Sequence, residues 1–211
     1  MSEASEARRA WLPSADDPLD KLPPTARRLL AAARDLLAEG GFQALSLQAI
    51  ARAAGESKGS VSYHFRNKRG LVVALVDSLV HDANRALLTE TTGLPMGKQR
   101  VQALVEGEQR ISADVQAFTG FFEVLPHALR DPALRPRVAG LYESYRQTVM
   151  TCLGAGTGEV ADSRLLPLAA LMIAVVDGLS IQMGLDPEGF DIRVPFRTWG
   201  AMLAAHLQSE A

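Results

Sequence analysis

The sequence predicts an all-α fold, and three observations lead there. Apolar residues recur at i, i+3, i+4 and i+7 in one segment after another, the spacing of a helix face. Glycine and proline separate those segments, at Gly40-Gly41, at Gly93 with Pro95, and at Asp186-Pro187-Glu188-Gly189. No stretch alternates apolar and polar residues as a half-buried strand would, and no internal repeat is present. About nine helices are expected on this periodicity, in a 211-residue chain long enough to bury a sizeable core.

The composition, 47% hydrophobic and 22% charged, is that of an ordinary soluble globular chain. Cys152 is the only cysteine, so an intramolecular disulfide and a thiolate metal cluster are both excluded. That suits a reducing cytoplasm. Arg8 and Arg9 are followed by no long apolar run, so no signal peptide is expected. The longest apolar run, Leu165 to Val176, has 12 residues and contains Pro167. It is shorter than the roughly 20 residues needed to span a bilayer. The expectation is a cytoplasmic protein without a membrane partner.

The elements follow in order. Residues 1–23, with Pro13, Pro18, Pro23 and Asp16-Asp17, read as a mobile arm whose Arg8 and Arg9 are expected to be solvated, with a reach into a minor groove as the competing reading. Pro24 or Thr25 opens a first helix, striped with Leu29, Leu30, Ala33, Leu36 and Leu37 and ended by Gly40-Gly41. Phe42 is expected to plug the small core behind it. Two short helices around Gly55 follow, then a long helix from Lys68 to about Leu88 with Leu71, Leu75 and Leu79 on one face. Further helices are expected from about Lys98 to Ser112, from Asp114 to Leu129, and from Asp131-Pro132 to Leu153. Pro126 is expected to kink or end the second of these. Gly154 to Gly158 breaks the chain, Ser163 caps a helix to about Gly184, and Pro195 starts a last one to about Leu207.

The stretch Leu47 to Phe65 carries the functional signal. Ser46 caps a helix whose Leu47, Ile50, Ala51 and Ala54 form one apolar face, and Gly55 stops it. Ser57 caps a second helix with Val61 and Phe65 inward, four apart. Lys58, Ser60, Ser62, Tyr63 and His64 are left mostly outward, a face with no carboxylate. Such a pair has the form of a helix-turn-helix, whose second helix enters the major groove. Charge supports this. Pro24 to Gly70 holds 8 Lys+Arg against 3 Asp+Glu, net +5, and the remaining residues hold 14 against 21, net −7. A weakly acidic chain has gathered its positive charge around one motif, the footprint of a nucleic-acid site.

Thr25 to Leu75 resembles the DNA-binding domain of TetR-family transcriptional regulators. The matching residues are the helix TARRLLAAARDLLAEGGF, Leu45-Ser46-Leu47, Ile50-Ala51, Ala54-Gly55, Ser57-Lys58-Gly59, Tyr63-His64-Phe65, Asn67-Lys68 and Leu71. The segment VVDGLSIQMGLDPEGFD resembles the C-terminal part of the betaine-regulator-like subgroup and sets no ligand. The resemblance implies a homodimer with a three-helix DNA-binding head and a larger helical body that often binds a small ligand. The expected division is an arm at 1–23, a helix-turn-helix domain at 24–70, and an effector-binding and dimerisation domain at 71–211.

Roles at the DNA follow from side-chain chemistry. Lys58, Ser60, Ser62 and Gln48 are the candidates for base edges. Gly59 permits close backbone approach. Tyr63, His64 and Lys68 are candidate phosphate ligands, with Ser46 and Ser57 at helix N-termini. In the resembled family the positions of Tyr63, His64 and Lys68 often hold phosphates. This sequence departs from it at Ser62, where many members carry a second aromatic. His64 has no second ligand at helical spacing, so no metal site is expected, and no cofactor.

Phe118, Phe121, Phe122, Leu125, Tyr142, Tyr145 and Met150 are the candidates for a pocket taking a small, largely apolar effector, with plain core as the competing reading. His127 and Arg130 are secondary candidates for orienting a polar ligand. The run Leu165 to Val176 is apolar on nearly every face, so it needs cover on more than one side. Leu166, Ala170 and Ala174, with Trp199 and Leu203 on the last helix, are therefore expected at a dimer interface. The expected protein is a homodimeric repressor released from an inverted-repeat operator by an effector. The alternative is a constitutive or architectural DNA-binding protein. No catalytic constellation supports an enzyme.

Overall fold

The computed structural model describes residues 22–95, 97–154 and 165–209. Among them are nine helices and no strand: α1 Pro24–Ala44, α2 Leu47–Ala53, α3 Lys58–Phe65, α4 Lys68–Thr91, α5 Lys98–Ala113, α6 Val115–Arg130, α7 Arg135–Leu153, α8 Leu165–Leu185 and α9 Arg193–Ser209. Residues 1–21 of the expected N-terminal arm, the Ser163 cap and the Gly154–Gly158 break beyond its first residue lie outside the described residues.

Local chemistry sets the helix ends. Gly41 interrupts α1 at φ 66°, ψ −169°, a conformation that favours glycine, and only a short turn through Ala44 continues beyond it. Pro126 does not end α6, which runs four residues further to Arg130. Its ring lies on the exposed side. Asp131 does not begin α7 but caps the turn before it, its Oδ1 accepting the Ala133 N–H at 2.8 Å. Asp191 does the same ahead of α9, accepting from the Arg193 N–H at 3.1 Å, so that helix starts two residues before Pro195.

The chain divides into two compact units, each discontinuous in sequence. The first contains the described residues through Asp82 together with Gln116–Tyr142. Leu29, Leu30, Ala33 and Leu37 of α1 join Ile50, Val61 and Phe65 in one apolar cluster. Leu71, Val72, Leu75 and Val76 of α4 extend that cluster to Val124 and Ala128 of α6 and Val138 and Leu141 of α7. This unit therefore reaches past residue 70, because the apolar face of α4 does not stop there. Arg137 of α7 pairs with the buried Asp77 of α4 at 2.5 Å.

The second unit holds Ala83–Val115 and the chain from Glu143 onward. Leu104 on α5, Met172 on α8, and Phe196 and Leu203 on α9 are fully buried. Gly200 lets α9 approach α5 closely, since a Cβ there would sit 3.2 Å from Val105 Cγ1. The run Leu165 to Val176 proves to be part of a 21-residue helix, α8, long and apolar enough by itself to cross a membrane. Leu168, Ala169, Met172, Ile173, Val176 and Ser180 are nonetheless buried in its own unit, which makes it a core helix with one face uncovered.

A carboxylate sits in this second core. Glu108 of α5 is wholly buried and its Oε2 accepts the Tyr145 hydroxyl of α7 at 2.5 Å. Burial pushes its pKa up to about 8; the Tyr145 bond opposes that rise and Asp177 adds to it. The folded chain thus keeps a proton that the unfolded chain releases near 4.5. The stability so conferred is complete below 4.5 and is lost as pH rises through about 8. Tm should fall across that window more steeply in the wild type than in Glu108→Gln. Parallel melting profiles would show that Glu108 is already ionised at neutral pH.

Candidate nucleic-acid interface

Two serines and a glycine build the α2–turn–α3 unit. Ser46 Oγ accepts the Ala49 N–H at 3.1 Å and Ser57 Oγ accepts the Ser60 N–H at 3.0 Å, so each caps its helix through a side chain. Between them Gly55 takes φ +67°. Its N–H reaches Arg52 O at 3.2 Å while the Glu56 N–H reaches Ala51 O at 2.8 Å, the paired bonds of a Schellman turn. Arg28 of α1 fastens this turn through Glu56 at 2.5 Å.

Burial of Val61 and Phe65 fixes the roll of α3. Lys58 and Gly59 are exposed, Tyr63 is 84% exposed, and Ser60, Ser62 and His64 are half-buried. The Tyr63 and His64 rings meet edge to face at 5.1 Å. Ser46, Gln48 and Ser57 are exposed along the same motif. A Cβ on Gly59 would meet nothing closer than Ser57 Oγ at 3.5 Å, so the fold itself does not demand glycine there. Two exposed cations escaped the sequence reading. Arg52 lies in the last turn of α2, and Arg66 caps α3 at φ 63°, a conformation unusual for a residue with a side chain.

Lys68 is less free than a surface phosphate ligand. Its Nζ lies 4.5 Å from the centre of the Phe42 ring and donates to Phe42 O at 3.3 Å, leaving two further N–H donors. Phe42 is a half-buried clamp at the edge of the core rather than its plug. Its ring stacks on His127 of α6 at 3.8 Å, and its N–H donates to Glu123 Oε2 at 3.3 Å. His127 thus stacks on Phe42, and Arg130 is exposed.

The expected pocket residues divide between the units. Phe118, Phe121, Phe122 and Tyr142 form a chain of ring contacts at 5.7–6.0 Å in the first, with Leu125 on the same helix. Tyr145 and Met150 belong to the second, where Tyr145 bonds Glu108. Glu108 itself was missed. Its signal was a carboxylate in register with the apolar positions Val101, Leu104 and Val105.

Of the residues expected to meet a second subunit, Leu166, Ala170 and Ala174 are exposed on α8 and Trp199 is half-buried on α9. Leu203 is corrected. At 1% exposure it belongs to its own unit's core, and the neighbouring Met202, 60% exposed, faces outward instead. Leu171, Ile181 and Leu185 are further exposed apolar residues of α8. Among the described residues no group of His, Cys, Asp and Glu could hold a metal ion.

Known proteins agree with this architecture. The family profile "Bacterial regulatory proteins, tetR family" matches residues 29–75, and "BetI-type transcriptional repressor, C-terminal" matches residues 97–210, more than half of the chain. The HTH-type transcriptional regulator BetI of Escherichia coli O139:H28 is 26% identical over 197 residues, covering 87% of this chain and 94% of the relative. A transcriptional regulator from Pseudomonas aeruginosa PAO1 superposes with a TM-score of 0.71 at 22% identity, covering 91% of this chain and 97% of that one. Another from Rhodococcus sp. RHA1 gives 0.70 at 23% identity, covering 87% and 96%. These relatives are transcriptional regulators rather than enzymes. A capped helix-turn-helix with an exposed, carboxylate-free α3 face lies inside the first matched segment, and the second covers more than half of the chain, so the chain belongs to the TetR family of bacterial, DNA-binding transcriptional regulators, with a BetI-type C-terminal region.

Proposed function

We propose that the protein is a cytoplasmic, homodimeric repressor that holds an inverted-repeat operator and is released from it by a small, largely apolar effector. The observation that carries the DNA half of this reading is the outer face of α3, where Lys58, Gly59 and Tyr63 are exposed while Val61 and Phe65 are buried. Lys58, Ser60, Ser62 and Gln48 read base edges, and Gly59 brings the backbone against the groove wall. Tyr63, His64 and Lys68 hold phosphates, and the capped N-termini at Ser46 and Ser57 turn amides toward the backbone. The uncovered apolar face of α8 and α9 supports the dimer, since a helix this apolar gains by meeting its copy. Residues 24–70 act as the head and 71–211 as the body.

Lys68→Ala should weaken binding equally on specific and random duplex and reduce the salt slope by about one. Lys58→Ala should instead relax preference at one base position. Titrations against operator and random DNA at several salt concentrations separate the two. An unchanged slope for Lys68→Ala, or equal losses on all sequences for Lys58→Ala, would remove the assigned role.

Ala170→Asp with Met202→Asp should yield monomers with poor operator affinity, because both positions are exposed on the apolar face. Sedimentation velocity reads this directly. A dimer of wild-type strength in the double variant would place the interface elsewhere.

A further inference from the structure

The turn that joins α3 to α4 is two residues long, Arg66 and Asn67. Both of its ends are fixed. Phe65 is buried in the core on one side, and on the other Asn67 Oδ1 caps α4 by accepting the Gly70 N–H at 3.0 Å. The first turn of α4 also lies against the Phe65 carbonyl, so close that a Cβ on Gly70 would collide with its oxygen. Arg66 is left to reverse the chain. Its N–H still closes α3 on Ser62 O at 2.8 Å, while the N–H of Asn67 returns to Phe65 O at 2.7 Å. With φ 63° and ψ −53° at Arg66, this is a γ-turn of the rare, strained form, centred at about φ +75°, ψ −65°. Glycines aside, Arg66 alone among the described residues has a positive φ. Glycine would hold the angle with less strain, having no Cβ to clash. A strained residue kept at such a junction points to work done by its side chain.

That side chain is exposed. Other arginines of the same unit are committed to carboxylates: Arg28 to Glu56, Arg34 to Asp82, Arg69 to Asp131 and Arg137 to Asp77. Among the described residues the Arg66 guanidinium has no ion-pair partner. Two residues to either side stand His64, at the end of α3, and Lys68, at the start of α4, both candidates for phosphate. Lys68 gives one of its donors to Phe42 O. Arg66 keeps a planar fork of N–H groups, which matches two oxygens of one phosphate. We propose that Arg66 is a further member of the DNA interface, a ligand for one backbone phosphate that reads no base. The turn fixes its Cα between a buried residue and a helix cap, so little backbone order remains to be gained on binding. The inference rests on the assignment of the α3 face to DNA made above.

The experiment titrates the full chain, as wild type, Arg66→Gln, Arg66→Gly, Arg66→Lys and Lys68→Ala, against a duplex enriched from a random pool and against a random duplex. Each titration is repeated at several salt concentrations, and each protein is melted. Arg66→Gln keeps the strained turn and removes the charge. It should weaken both duplexes alike, by roughly tenfold, shrink the salt slope by about one, and melt with the wild type. Arg66→Gly should bind as Arg66→Gln does and melt no lower than the wild type, since glycine relieves the turn. Arg66→Lys should keep the slope and lose part of the affinity, because an ammonium lacks the fork. A wild-type slope in Arg66→Gln would overturn the inference, and lower melting of both uncharged variants beside it would assign the arginine to the fold. A loss confined to the enriched duplex would overturn it too, making Arg66 a base reader. Lys68→Ala separates this inference from the reading it rests on. A reduced slope there, beside an unchanged Arg66→Gln, removes the Arg66 contact alone. Unchanged slopes in both remove the α3-face assignment with it.

Discussion

Burial of Val61 and Phe65 is the constraint on which the interface depends. Two apolar residues four apart permit α3 only one roll against Leu29, Leu30 and Ile50. That roll decides which side chains of α3 are left for a ligand, and all of them are uncharged or basic; Glu56, next to the Ser57 cap, is taken by Arg28. Gly55 sets the angle at which α3 leaves α2, and no side chain could hold φ +67° there without strain. The caps at Ser46 and Ser57 contribute about 1 kcal/mol each to helices too short to persist alone. Recognition chemistry therefore rests on a core of a few residues and on one left-handed turn.

The turn at Gly41 and Phe42 ties that head to α6 within the first unit. Phe42 presents its ring to His127, its N–H to Glu123, and its carbonyl to Lys68. One residue thus connects a helix of the head, the start of α4 and the middle of α6.

Much of this was legible in the sequence, for physical reasons. Periodicity placed the helices because each buries one face, and glycine and proline placed the breaks because few other residues hold those backbone angles. The two serine caps and the outward set on α3 followed from spacing alone. What escaped depended on partners distant in the chain. Phe42 looked like a core residue, and only the approach of His127 and Lys68 makes it a clamp. Leu203 and Met202 are neighbours of similar apolarity, and which of them faces inward is set by how α9 seats on α5. The first unit reaches Tyr142 because α6 and α7 return to α4, a long-range event without a local signature. Glu108 was visible only as a charge in an apolar register.

The central claim is that the face of α3 reads sequence in a symmetric pair of half-sites. Selecting bound duplexes from a random pool with the full-length protein tests it most directly. The account predicts enrichment of an inverted repeat, with half-site centres about one helical turn apart or more. It also predicts that Lys58→Ala blurs one position in each half while the spacing is kept. Recovery of unrelated sequences, bound equally well and governed only by salt, would contradict it.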